Sequence, residues 1–414
     1  MTQAFFDMLY LFSCAAHGKT PAVAETLDVN KVIGAASRQG VLPLVLKSVI
    51  DSHNAGGIQI QNQVLESFIR DLRVKIAYNM QRAIIADRVI KHLEDCGITC
   101  CVLKGDTVAS LYKNPECRIS NDVDLYINTN DKKTMKNAIR ILKGHGYEFQ
   151  GDPPNSHHFT GSHKIAGSIE LHSNLFKDQY IDVWFDNKTL LSDPYRMVTT
   201  PYGNELPTLG INDGLVYMFL HIVKHFVNAG IGIKPIMDTL LYIRKYKDEI
   251  DYTSFSELIR YLKYDRFFDC MLCIGTKYLG FAENDLYPFT FDEVIAEKVL
   301  TDIEIGGSFG NAEVWRVGFY VTYNRARFNR FKGEVYDEYM KKWKVAPFRK
   351  LFLHRSEMIF RLPYVSKSMF LLPIAWVHRA VLFVFESLTG KRTGNVDNTN
   401  IEERMDLIRE LDMV

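Results

Sequence analysis

The feature that most constrains this chain is a short apolar run with two alternating carboxylates, Asp122 and Asp124, within residues 121–127. Alternate residues of a β-strand point to the same face of a sheet, so we expect the two carboxylates to lie side by side. Like charges held together beside a sheet repel each other and favour a cation between them. Mg²⁺ is the usual partner of clustered carboxylate oxygens and nucleotide phosphates. Acids also alternate on solvated strands, so this spacing alone leaves both interpretations open.

The residues before this run favour phosphate binding. A β-rich run, 98–103, ends at Lys104 and Gly105, and a short helix is predicted directly afterwards. The free N–H groups at the start of a helix can hold a phosphate, and Lys104 adds a positive charge there. Arg118 lies just before the two acids and can grip a phosphate with two parallel donors.

A third carboxylate, Glu170, lies in another predicted strand, 169–172. Three acids can bridge two metal ions, one that activates the acceptor oxygen and one that stabilises the pyrophosphate leaving group. The alternative for Glu170 is a solvated strand residue.

A later helix carries His221, Lys224 and His225, whose i, i+3 and i+4 spacing places them on one face. Two histidines at this spacing can bind zinc, but no neighbouring glutamate completes a hydrolase motif. The face is either structural or contacts nucleotide phosphates or the acceptor through Lys224 and a histidine. In the second case, Asp238 can orient one imidazole.

These motifs resemble the uncharacterised nucleotidyltransferases, a family within the DNA-polymerase-β-like nucleotidyltransferase superfamily. The resemblance rests on Leu103-Lys104-Gly105, Arg118, Asp122-x-Asp124, Ile169-Glu170-Leu171-His172, His221-x-x-Lys224-His225 and Asp238. It implies an α+β polymerase-β-like core with a mixed sheet, in which Asp122, Asp124 and Glu170 bind Mg²⁺ or Mn²⁺ and carry catalysis. The expected reaction transfers a nucleoside monophosphate from an NTP to an unidentified acceptor: a small molecule, a protein or RNA.

The other motif residues receive supporting roles. We expect Lys104, Gly105, Arg118 and Lys224 to bind the nucleotide, and His172, His221, His225 and Asp238 to form a second sphere or the acceptor site. Most members of the superfamily carry Gly-Ser at the phosphate turn, whereas this chain has Lys104-Gly105. This departure supports an alternative, a catalytically inactive module that binds a nucleotide or a partner.

Changes in sequence pattern predict three regions. Residues 1–95 show helical periodicity, residues 96–205 form the α+β nucleotidyltransferase core, and residues 206–414 return to a helical pattern. Further strands are predicted at 147–150, 158–165 and 181–185. The fold is therefore expected to be a central core flanked by an N-terminal and a large C-terminal helical region.

Composition limits the partners and the compartment. A net charge of +1 gives no global attraction to nucleic acid or membrane. The segment 316–361 interleaves basic and aromatic residues, so it is either a solvated helix face or a weak contact for RNA, an anionic membrane surface or an acidic partner. A peripheral membrane protein or RNA-associated protein that uses this segment is therefore a second alternative function.

Two further features concern location. Pro373, His378 and Arg379 interrupt the apolar stretch 369–388, so no transmembrane segment is expected. The seven scattered cysteines fit a reducing, cytoplasmic environment.

Overall fold

The computed structural model describes most of the chain up to residue 308 and parts of the chain beyond it. The described residues are 1–22, 27–129, 131–149, 158–173, 175, 195–228, 230–290, 292–308, 319, 323–324, 326–327, 330, 368, 371–378, 381 and 398–414. The chain divides into two compact units, one comprising Met1–Ala312 and Asp406–Val414 and the other Glu313–Met405. The predicted boundaries at residues 95 and 205 stay predictions.

Helices form the start of the first unit. They are α1 (Gln3–His17), α2 (Val29–Arg38), α3 (Leu42–Asn54) and α4 (Asn62–Asp95). The helical pattern over residues 32–50 is split between α2 and α3, because Gly40 takes a φ of 67°, which a right-handed helix cannot include.

A seven-stranded mixed sheet forms the centre of the described part of this unit. Its strands are β1 (Cys101–Val102), β2 (Asp122–Tyr126), β3 (Glu148–Phe149), β4 (His158–His163), β5 (Gly167–His172), β6 (Arg196–Thr199) and β7 (Glu205–Thr208). Their spatial order is β3-β4-β5-β2-β1-β7-β6. The β2–β5 and β1–β7 pairs are parallel, and the other pairs are antiparallel. The α+β class with a mixed sheet is thus confirmed, while the strand predicted at 181–185 lies outside the described residues.

The two faces of the sheet differ because side chains alternate along each strand. One face is apolar and packs against α4 and against α6 (Lys132–Gly144), and its core includes Val123, Leu125 and Ile169. The opposite face holds a smaller cluster around Tyr126 and Tyr217. The alternation places Asp122 and Asp124 on this second face.

Between β1 and β2 lie the short helix α5 (Asp106–Ala109) and a 3-10 turn (Pro115–Cys117). After the sheet come α7 (Ile211–Asn228), α8 (Ile233–Tyr246), α9 (Tyr252–Tyr261), α10 (Asp265–Tyr278), α11 (Glu293–Gly306) and α12 (Asn398–Glu410). Tyr217 belongs to α7, so α7 packs over the face that carries the two aspartates. In the part of the chain that the structure describes, no helix is both long and apolar enough to cross a bilayer.

Candidate metal and nucleotide site

The central strands β2 and β5 bring the predicted acids together. They run parallel, with Asp122 opposite Ser168, Asp124 opposite Glu170, and Tyr126 opposite His172. Opposed residues of a parallel pair point to the same face, so Asp124, Glu170 and His172 leave the sheet on one side. The tertiary fold therefore joins acids that are distant in the sequence.

The donor atoms of this trio lie close together. Nε2 of His172 is 3.1 Å from Oδ1 of Asp124 and 3.5 Å from Oε2 of Glu170. One ligand atom from each residue lies within 4.8 Å of the others. Asp122 lies at the start of β2 on the same face but is not a member of this trio. We call Asp124, Glu170 and His172 the acid-histidine cluster.

Lys104 follows β1 and lies beside the two aspartates. Its Nζ is 3.0 Å from Oδ2 of Asp124 and 3.9 Å from Oδ2 of Asp122. Burial alone would lower the pKa of Lys104, but the two carboxylates raise it above its usual value. The lysine is therefore a charged ammonium at neutral pH and holds the buried carboxylate of Asp124.

Asp124 and His172 stabilise each other's charged forms. Burial favours the neutral form of Asp124, but Lys104 and His172 outweigh it and hold the carboxyl pKa far below its usual value. Burial likewise lowers the pKa of His172, yet hydrogen bonds with Asp124 and Glu170 outweigh it and raise the pKa. Asp124 is thus an ionised carboxylate beside an imidazole whose protonated form is favoured.

The turn after β1 requires a glycine. Gly105 has φ 82° and ψ −111°, a combination that side-chain-bearing residues rarely adopt. A Cβ added there would lie 2.9 Å from Oγ of Ser120. The turn therefore packs against the loop that precedes β2, which fixes Lys104 beside the aspartates. Phosphate binding by Lys104 and Gly105 stays a prediction.

Arg118 is buried against Asp238 of α8. Its Nε and Nη2 donate to the two carboxylate oxygens of Asp238 at 3.2 and 2.6 Å, and Nη1 donates to Oγ of Ser120. The hydroxyl of Tyr112 donates to the same carboxylate at 2.8 Å. Sequence reasoning named both Arg118 and Asp238 but not their pairing. The pair ties α8 to the segment before β2, whereas a phosphate contact by Arg118 stays a prediction.

The predicted histidine face of α7 lies over the acid-histidine cluster. The rings of His221 and His225 are 4.4 Å apart, and Lys224 is exposed beside them. Burial and then the nearby charge of Lys104 lower the pKa of both histidines, that of His225 to about 4. Both imidazoles are therefore neutral at physiological pH, next to a lysine that faces solvent.

Sequence reasoning missed a buried polar network beneath the turn. Arg82 of α4 donates through Nη2 to both oxygens of Asp106, at 2.6 and 2.8 Å, and through Nη1 to the carbonyl of Asp122 at 3.4 Å. Oδ1 of Asn79 accepts from Nε of Arg82 and from the backbone N–H of Ser120. The network holds the turn after β1 against the start of β2. No local pattern marks these residues, because each contact is tertiary.

Lys234 on α8 was also missed. Its Nζ donates to the carbonyl of Ile119 at 3.1 Å, next to the segment that leads into β2. Burial and the neighbouring Arg118 lower its pKa to about 8, although Asp238 and Asp122 act in the opposite direction. The i, i+4 spacing of Lys234 and Asp238 on one helix was the available signal.

A divalent cation fits this set of side chains. Asp124 and Glu170 supply anionic oxygens and His172 supplies a nitrogen, all from adjacent rigid strands. Asp124 is buried and is matched by positive neighbours, as expected for a carboxylate that balances a cation. The residues present are therefore chemically suited to hold a metal ion.

The basic aromatic segment 316–361 lies almost entirely outside the described residues. Within it, Arg327 is buried and donates to the hydroxyl of Tyr323, while Arg330 is exposed. Contact of this segment with RNA or an anionic surface stays a prediction.

Comparisons with known proteins identify the family of this chain. Residues 25–280 match the family described as uncharacterised nucleotidyltransferase. No curated protein matches the chain. An antigenic nucleotidyltransferase-like protein from Paracoccidioides brasiliensis is similar at 15% identity, over 44% of this chain and 88% of that chain, with a TM-score of 0.28. The family match spans more than half of the chain and contains all of the candidate site residues. The chain therefore belongs to the uncharacterised nucleotidyltransferase family.

Proposed function

We propose that this protein transfers a nucleoside monophosphate from an NTP to a hydroxyl group of an acceptor. The observation that carries the proposal is the register of Asp124 opposite Glu170, beside Lys104, in a chain of a nucleotidyltransferase family. Asp122, Asp124 and Glu170 are the proposed catalytic and metal-holding carboxylates. A bound Mg²⁺ or Mn²⁺ would neutralise phosphate charge and activate the attacking oxygen.

The proposed reaction is an in-line displacement. The acceptor oxygen forms a bond to the α-phosphorus, the bond from that phosphorus to the bridging oxygen breaks, and pyrophosphate leaves with the electron pair. Asp122 is suited to take the hydroxyl proton, because its side chain is 36% exposed and lies outside the acid-histidine cluster. Asp124 is 3% exposed and serves as a fixed anion.

Cationic side chains around the cluster suit a triphosphate. Lys104 lies at the aspartates, and Lys224 is exposed on the helix that covers them. Both are proposed phosphate ligands. Arg118 is proposed to act mainly through position, because Asp238 already holds its guanidinium.

Pyrophosphate release tests this function. Purified protein is incubated with Mg²⁺ or Mn²⁺, the four NTPs and a cell extract as the source of acceptor. We expect release with the natural chain and a loss of at least 100-fold in Asp124→Asn and Glu170→Gln. Glu205→Gln is the matched control, because Glu205 is an exposed carboxylate on β7 of the same sheet. Equal release from all four proteins would contradict the proposal.

A second candidate is a module that binds nucleotide without turnover. It is favoured by Lys104, which already places a cation 3.0 Å from Asp124. Calorimetry with ATP and Mg²⁺ separates the two: binding without pyrophosphate release supports the module, and binding with release supports the enzyme.

A further inference from the structure

We propose that His172 is a direct ligand of the cation at this site, and that the site therefore binds Mn²⁺ in preference to Mg²⁺. This inference rests on the proposed function only in assuming that a divalent cation occupies the acid-histidine cluster. It assigns to His172 a different role from the second-sphere one that the sequence suggested.

The first support is the spacing of the donor atoms. Ligand atoms about 2.1 Å from one first-row metal ion are separated by roughly 3.0–3.5 Å in tetrahedral or octahedral arrangements. Nε2 of His172 lies 3.1 Å from Oδ1 of Asp124 and 3.5 Å from Oε2 of Glu170. The imidazole nitrogen is thus at the distance of a fellow ligand of both carboxylates.

The second support is that the two carboxylate oxygens of Asp124 face different partners. Oδ2 faces Nζ of Lys104 at 3.0 Å, while Oδ1 faces His172. A cation held by Oδ1, Glu170 and His172 leaves the lysine pair in place. The side chain of Glu170 is 32% exposed, so the cluster has a side open to water and phosphate oxygens.

The third support is ligand preference. Mg²⁺ takes oxygen ligands almost exclusively and keeps much of its water. Imidazole is a better ligand for first-row transition metals than for Mg²⁺, and carboxylates suit Mn²⁺ as well as Mg²⁺. Two carboxylates with one imidazole combine both preferences, and Mn²⁺ satisfies them together. The competing arrangement is a protonated His172 that bridges Asp124 and Glu170 in place of a metal.

Electron paramagnetic resonance on the full-length protein tests the inference without any turnover. Mn²⁺ is titrated into the metal-free chain and free Mn²⁺ is counted, and spin-echo spectra then detect nitrogen bound to the ion. We expect one tight site whose spectrum shows coupling to a histidine nitrogen. When histidine is labelled with ¹⁵N, the ¹⁴N coupling should be replaced by a ¹⁵N coupling. A tenfold excess of Mg²⁺ should displace less than half of the Mn²⁺.

Two histidine variants identify the residue that supplies the metal-bound nitrogen. His172→Gln should abolish the coupling, weaken Mn²⁺ binding about tenfold or more, and reduce the preference over Mg²⁺. His145→Gln is the matched control, because Nε2 of His145 lies 2.9 Å from Nδ1 of His92 in a second, partly exposed imidazole pair. Coupling lost in His145→Gln, or coupling that persists in a folded His172→Gln, overturns the inference.

The spectrum of the natural chain remains decisive if His172→Gln does not fold. Tight Mn²⁺ binding with oxygen ligands alone, or equal affinity for Mg²⁺, overturns the inference even if nucleotidyl transfer occurs. Nitrogen-coupled Mn²⁺ in a protein that releases no pyrophosphate counts against the proposed function alone. Absence of any tight Mn²⁺ site contradicts the inference directly.

Discussion

Asp124 and Glu170 lie directly opposite each other on the adjacent parallel strands β2 and β5. A one-residue slip in this register would turn Glu170 toward the apolar face, so that it would no longer lie beside Asp124. The register is held by the apolar face itself, where Val123 and Leu125 pack with Ile169 and Leu171. The geometry of the candidate site is therefore set by the core beneath it.

The glycine turn offers a first prediction. We expect Gly105→Ala to lower the free energy of unfolding by roughly 1–3 kcal/mol, because its positive φ and the approach to Ser120 both resist a side chain. Gly97→Ala is the matched control, since Gly97 has φ 74° but no atom within 4 Å of an added Cβ. Urea unfolding measures both variants. Equal losses would show that backbone conformation alone sets the cost and that the packing on Ser120 contributes nothing.

The buried pair of Arg82 and Asp106 leads to a second prediction. Both side chains are less than 5% exposed, so Arg82→Met leaves an unpaired buried carboxylate and should cost about 3–5 kcal/mol of unfolding free energy. The double variant Arg82→Met/Asp106→Leu should lose less than Arg82→Met alone. A double variant that loses the sum of the two single losses would contradict the pairing.

The sequence predicted where the candidate acids lie better than it predicted the residues that support them. Asp122, Asp124 and Glu170 were placed on one face because strand periodicity is local and two short apolar runs tend to pair. Arg82, Asn79 and Lys234 escaped notice, because an isolated polar residue on a helix looks solvated until its tertiary partner is known. The strands β6 and β7 were also missed, since each has four residues and β7 contains Pro207, which is unfavourable within a strand.

The pair of Arg118 and Asp238 gives a third prediction, which separates positioning from phosphate binding. If Arg118 acts through position, Arg118→Lys and Asp238→Asn should reduce stability and kcat to similar degrees, with no additive loss in the double variant. The KM for NTP should stay within a few-fold of the natural value. A large rise in KM in Arg118→Lys alone would instead show a direct phosphate contact.

A fourth prediction concerns pH. Burial, and to a lesser degree Asp265, raises the pKa of Asp269 from 3.8 to about 6, whereas the unfolded chain ionises at the ordinary value. Between pH 4 and 6 the folded state therefore holds more protons than the unfolded state. As a result, the unfolding free energy contributed by this group falls as pH rises.

Asp269→Asn should therefore stabilise the protein at pH 7, by about 1 kcal/mol after allowance for partial exposure to solvent. It should bring little or no gain at pH 4, where the native carboxyl is already protonated. Thermal unfolding at the two pH values measures the difference. A gain of equal size at both would show that ionisation of Asp269 is not its cause.

The most direct test of the central claim follows radioactive phosphate from NTP to acceptor. The protein is incubated with cell extract and Mn²⁺ or Mg²⁺, in parallel with α-³²P-labelled and γ-³²P-labelled NTP, beside the Asp124→Asn variant. We expect label from the α position to enter an acceptor only with the natural chain, and label from the γ position to leave as pyrophosphate. Transfer of the γ label, or α-label transfer that persists in Asp124→Asn, would contradict nucleotidyl transfer at the acid-histidine cluster.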